Sequence, residues 1–231
     1  MNSTQAAIVQ AVRQYYKFLT TLYLEESKVV EPPPGGWPSI TPQVLKGLGK
    51  CDQIITMLRH LPYICSTTAN HHESAQTSAE CYFADWNLIS QKLSEGFLSI
   101  DVVKSLTEPN IINSPYVIGL TCGARSNTTF LLDINLGRMI FYQHRGWVGT
   151  GVSHFFEILK NEFMKLNSKT KVLNGYRKDS PNALAAIEKV RGIYREHGWP
   201  KIEQFDKRKC LAAIEAATWD IDWKKLLGGA V

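Results

Sequence analysis

The chain of 231 residues has no long apolar run: no stretch approaches the roughly 18–20 residues that span a bilayer, so a membrane-crossing helix is not expected. It is also poor in cysteine. Cys51, Cys65, Cys81, Cys122 and Cys210 are odd in number and widely scattered, which excludes a disulfide framework. The opening Met-Asn-Ser-Thr-Gln-Ala-Ala-Ile-Val has neither a basic region nor an apolar core, so no secretory leader is expected. These absences point to a reducing, cytoplasmic setting. Motifs with strong mechanisms are missing too. There is no Gly-x-Ser-x-Gly, no phosphate-loop lysine after the glycines, and no dinucleotide-type glycine spacing running into a helix. No cofactor is expected.

Charge is unevenly placed between the two halves. Residues 1–115 hold 8 Lys/Arg against 10 Asp/Glu, and residues 116–231 hold 18 against 11. The overall excess of +5 is mild for a nucleic-acid binder. The basic run 165–178 carries Lys165, Lys169, Lys171, Arg177 and Lys178 but only Tyr176 as an interleaved aromatic, so nucleic acid is not the expected partner. The best cluster of metal-ligating types is Cys65, His71, His72, Glu73 and Cys81. Its spacing matches no standard zinc unit, and a polar loop without metal is the expectation.

What the chain does have is one β-rich stretch, Tyr116–Gln143. Runs at about 116–122, 128–134 and 138–143 are divided by turn residues. Phe130, Leu132 and Ile134 alternate with Leu131 and Asp133, and Asn135-Leu136-Gly137 suits a hairpin connection. Links this short require antiparallel pairing. Almost everything else has helical spacing. Ile8, Val12, Tyr15, Leu19, Leu22 and Tyr23 form one apolar stripe from about Ser3 to Leu24, which packs into a core or faces a partner. Thr41-Pro42 is a cap followed by a first-turn proline, and Gly49 is the matching stop. Asp85 or Asn87 is a candidate cap, Ser153 another, and His197-Gly198-Trp199-Pro200 is a stop signal. The arm Glu31–Pro38 has three consecutive prolines and a Gly-Gly pair, pinned by Trp37. The expected architecture is α+β: a small antiparallel sheet at about residues 116–143 covered by several helices, in one domain spanning 1–231 with the N-terminal helix and arm (1–40) packed on it.

Two resemblances add to this. Phe18–Leu24, Pro33–Pro38, Leu58–Ile64, Ala84-Asp85-Trp86 and Ile193–Pro200 are similar to segments of a set of uncharacterised fungal proteins. Residues 116–143, with Leu131-Leu132-Asp133, Gly137 and Phe141-Tyr142, resemble the central hairpin of the SUKH superfamily, which includes fungal cell-wall-assembly regulators and bacterial immunity proteins. That second resemblance lacks the family's Asn-Gly after Leu61-Pro62. It implies a non-catalytic, intracellular protein-interaction or regulatory module with a protein partner. The alternative is a cofactor-independent enzyme, an isomerase or cyclase acting on a small molecule in fungal secondary metabolism. Its site would sit at the polar exits of the sheet, on Cys122, Arg125, Asp133, Tyr142, His144 and Trp147, with His144 as acid–base group.

Overall fold

The first helix begins at Ser3, as expected, and Asn2 caps it. Its side chain accepts from the Gln5 amide at 2.9 Å, while the Gln5 side chain accepts from the Asn2 amide at 2.8 Å. The computed structural model describes residues 1–65, 76–78, 81–108, 113–123, 129–143, 146–166 and 181–218; of these, 76–78, 81, 141–143, 146–148, 181–184 and 218 are described as backbone alone. Helix α1 runs Ser3–Leu22, followed by strand β1 (Val29–Val30) and helices α2 (Pro42–Leu45) and α3 (Asp52–Leu58). Strands β2 (Tyr63–Ile64), β3 (Gln76–Ser78) and β4 (Cys81–Phe83) lead to α4 (Trp86–Ser94) and α5 (Ile100–Thr107). Then come β5 (Val117–Gly119), β6 (Thr121–Gly123), β7 (Thr129–Asp133), β8 (Arg138–Gln143) and β9 (Gly146–Gly151), and finally α6 (Val152–Met164), α7 (Pro181–Glu196) and α8 (Lys207–Thr218). No described helix is long and apolar enough to cross a membrane.

The fold is α+β, and every strand pairing is antiparallel. The sheet is larger and more divided than three strands over 116–143. Its order is β5-β7-β8-β9, so the stretch after Gln143 supplies a fourth strand. The run 116–122 is not one strand. It breaks at Leu120, whose N–H donates to Phe130 O (2.8 Å) while its carbonyl accepts from Ala84 N–H (3.0 Å). On one side of this joint β5 pairs with β7; on the other, β6 pairs with β4, which pairs in turn with β3. The segment 65–81, expected as a loop, therefore contains strand Gln76–Ser78, and its end at Cys81 begins β4. Leu131, assigned by alternation to the same face as Asp133, is fully buried, as are Phe130 and Leu132. Strand β7 is covered on both faces and shows a continuous apolar run.

The core is an aromatic seam. Tyr15 on α1 stands 4.9 Å from Phe156 on α6, and Tyr16 stands 5.1 Å from Phe83 on β4. Phe130 on β7 stands 4.9 Å from Phe155, edge to face. At about 25 cal/mol per Å², each ring removed from water contributes about 4–6 kcal/mol before entropy is counted. The apolar stripe of α1 is thus core-facing. The proline arm lies back on the body: Trp37 is buried, its Nε1 donates to Leu61 O (2.8 Å), and its amide donates to Arg59 O (2.9 Å). Gly36 makes this approach possible. It takes φ +83°, and a Cβ there would lie 2.7 Å from Arg59 O.

The helix signals at Thr41 and Asp85 correspond to real caps, whose side chains accept from the amides of Val44 and Leu88, and Ser99 caps α5 in the same way by accepting from Val102. Ser153 is different. Helix α6 begins at Val152, so Ser153 lies inside its first turn, and Gly151 occupies the cap without a side-chain bond. The glycine-rich strand β9 runs straight into the helix and leaves no room for a separate cap residue. Ser180 and the tail from Trp219 lie outside the described residues.

Candidate functional site

Of the six residues proposed for a small-molecule site, two have described side chains. Cys122 is half-buried on β6, in register with Tyr82. Asp133 ends β7 in the other sheet, and its Oδ1 accepts from the amides of Asn135 (2.9 Å) and Leu136 (3.0 Å). That carboxylate closes the hairpin, with Gly137 completing the turn at φ +61°. Tyr142 and Trp147 are partners in the β8–β9 ladder as backbone positions. Arg125 and His144 lie outside the described residues, as do His71, His72 and Glu73. Among the described residues no three His, Cys, Asp or Glu side chains converge as metal ligands.

Cys122 has different neighbours from those expected. Tyr16 of α1 is buried within electrostatic reach of both Cys122 and Asp85. Burial raises the phenol of Tyr16 first, and the two acidic groups add to it. Tyr63 behaves alike: burial and then Asp85 raise its phenol, and its hydroxyl donates to Leu58 O at 2.6 Å. Asp85 caps α4, with Oδ1 accepting from Leu88 N–H at 3.0 Å. Burial pushes its carboxyl above the ordinary range, and the Leu88 and Asn87 amides pull it back. This group joins α1, β2, the β4–α4 corner and β6. It is a set of buried hydroxyls within electrostatic reach of a carboxyl and, for Tyr16, of a thiol, and it was not foreseen. Tyr16 belongs to an ordinary apolar stripe and Asp85 to an ordinary cap, so spacing alone gives no sign that they meet.

A second polar centre lies at the end of α5, beside Gly119 of β5. Lys50 Nζ donates to Glu108 Oε2 at 2.8 Å and to Ser114 O at 3.2 Å. The two side chains are only 3% and 5% exposed, so this is a buried ion pair. Glu108 Oε1 is buried without a hydrogen bond of good geometry. Burial raises the Glu108 carboxyl; the Lys50 hydrogen bond and charge, the Gly119 amide and Lys104 oppose it. Gly119 lets the end of α5 come this close, since a Cβ there would stand 2.0 Å from Thr107 O. Its own carbonyl accepts from Trp86 Nε1 at 2.9 Å. Lys50 and Glu108 are 58 residues apart, and no local pattern links them.

On the outside, the same helix presents apolar groups to water. Val102 and Leu106, one turn apart on α5, are 43% and 40% exposed. Phe97, in the turn before α5, is 77% exposed. That turn is well held: Phe97 N–H donates to Lys92 O (2.9 Å) and Gly96 N–H to Leu93 O (3.2 Å), the paired bonds of a Schellman motif. In such a motif the residue at the Phe97 position commonly folds back on the helix; here it stands out.

No protein-family model, curated protein or solved structure matches the chain.

Proposed function

We propose that this chain is a non-catalytic, intracellular protein-interaction or regulatory module, and that it meets a protein partner through the surface around Phe97 and α5. The observation that carries this reading is Phe97. A large aromatic side chain held in water by a closed, hydrogen-bonded turn is a preformed anchor of the kind that dominates interfaces. Val102 and Leu106 extend the apolar area along α5. Among the described residues, the free thiols of Cys51, Cys65 and Cys210 are in keeping with a reducing compartment. The segments that resemble fungal proteins supply structural anchors (Trp37, Leu61, Trp86 and Trp199 are all buried), which favours a shared scaffold over a shared site. The test is affinity capture from native lysate with the wild type and with a Phe97→Asp/Leu106→Asp double variant of unchanged circular dichroism. The expected result is a protein captured by the wild type and lost by the variant. If the variant keeps every partner, this surface is wrong. Removal of the 31–38 arm is a poor probe of binding, because Trp37 is part of the core.

A cofactor-independent enzyme acting on a small molecule is the second reading. What favours it is the interior group of Tyr16, Tyr63, Asp85 and Cys122, in which a carboxyl with a raised pKa sits among hydroxyls that stay protonated. A Cys122→Ser/Asp85→Asn variant that folds but changes one metabolite on replacing the wild-type gene supports it. An unaltered metabolite profile counts against it.

A further inference from the structure

The inner face of α5 holds the helix to the body in an unusual way. Val103 is its one fully buried large apolar side chain. Thr107, also buried, satisfies its hydroxyl within the helix by donating to Val103 O at 2.8 Å. Ile100 fits over Gly47, where a Cβ would stand 2.7 Å from Ile100 Cγ1. At the helix end Thr107 lies close against Gly119, and the charge pair of Glu108 on Lys50 is the polar anchor. A buried ion pair roughly breaks even against the hydration both charges regain in water, whereas separating the charges inside the protein is strongly unfavourable. Docking of α5 is therefore all-or-none. Either both charges are buried together or both are released to solvent, and the release forfeits little apolar burial.

We propose that α5 is a detachable helix, clasped by the Lys50–Glu108 pair, that opens as a unit while the aromatic core of α1, β7 and α6 stays closed. Opening frees the inner positions Ile100 and Val103 beside the already exposed Val102 and Leu106, giving a helix apolar on two sides. The inference does not depend on the identity of any partner.

Hydrogen exchange of the full chain, read by mass spectrometry, tests it. In the wild type, amides of 100–108 are expected to exchange about tenfold or more faster than those of α1 and α6. A Lys50→Met/Glu108→Leu variant, which replaces the clasp by apolar contact, is expected to slow exchange in α5 to the rate of the body. Lys50→Met alone, if it folds, is expected to speed exchange in α5 and leave α1 and α6 unchanged. Equal protection of α5, α1 and α6 in the wild type overturns the proposal. So does a double variant whose α5 exchanges as the wild type does, and neither measurement requires the single variant.

Discussion

Lys207 donates its ammonium to the carbonyl of Leu24 at 2.7 Å, 183 residues away in sequence, and to Thr20 O at 2.9 Å. These carbonyls close the C-terminal end of α1, where the helix dipole favours a cation. The contact ties the last described helix to the first. Hydrogen bonds from charged donors are worth about 1.5–3 kcal/mol, so Lys207→Met is expected to cost about 2 kcal/mol in urea unfolding. Lys209 offers the control. Its partner, Asp206 at 3.0 Å, is exposed with it, and Lys209→Met is expected to change stability by less than about 0.5 kcal/mol. Equal effects of the two substitutions would show that the Lys207 contact is not a special one.

Gly119→Ala is expected to be severe. The added carbon would lie 2.0 Å from Thr107 O, a backbone atom that cannot rotate away. The close approach of α5 and β5 must then open, at a cost of at least about 1–3 kcal/mol. At Gly149 on β9 the nearest atom, Met139 O, is 4.0 Å from the same carbon, so Gly149→Ala should be tolerated. Thermal melting of the two variants side by side separates the cases; a mild Gly119→Ala would refute the tight packing.

Trp37 allows the arm to be dissected. Trp37→Phe keeps most of the ring but removes the donor to Leu61 O, leaving that carbonyl unpaired at a cost of about 1–3 kcal/mol. Trp37→Ala also empties the site beside Tyr63, whose ring centroid is 5.8 Å away, and is expected to cost about 3–5 kcal/mol. Chemical denaturation should rank wild type above Phe above Ala. If Ala equals wild type, the arm does not contribute to the fold.

Stability should respond to pH through two buried carboxyls. The native pKa values of Asp85 and Glu108 are raised by burial. Each therefore holds its proton more readily in the native than in the unfolded chain. The stability they contribute is full below the ordinary carboxylate value, about 4, and is lost as pH rises through the raised native values. Asp85→Asn keeps the cap acceptor and removes the titration, since Asn caps about as well as Asp. Its urea midpoint, relative to wild type, is expected to climb as pH rises above the ordinary carboxylate value of about 4. A constant difference across that rise would contradict the assignment.

Much of the architecture was legible wherever one residue dictates its own neighbourhood. Thr41-Pro42 and Asp85 act within three residues of themselves, as does the Asp133–Gly137 turn, and each is where its type suggests. Ser153 failed because capping depends on backbone direction, and β9 delivers the chain already aligned with α6. The β-rich stretch gave the antiparallel sheet but not its limits. The partner of β6 is β4, far upstream just after a polar segment, and no periodicity announces such pairing. The site was less legible still. Asp133 has the right chemistry but is committed to its turn, while Tyr16, Lys50 and Glu108 look ordinary in sequence and acquire their character from burial beside distant groups.

Leu120 joins two ladders through a single residue: its N–H belongs to one and its carbonyl to the other. The consequence is kinetic. Strands β7 and β8 are joined by a short turn and can close early, but β4 must return from a distant part of the chain to complete the joint. Pulse-labelling during refolding is expected to protect the β7–β8 amides before those of β4, with the reverse order excluding this route. Until the joint closes, Thr121–Gly123 has an open edge, so the interval between the two events is when this chain is most exposed to pairing with another copy of itself.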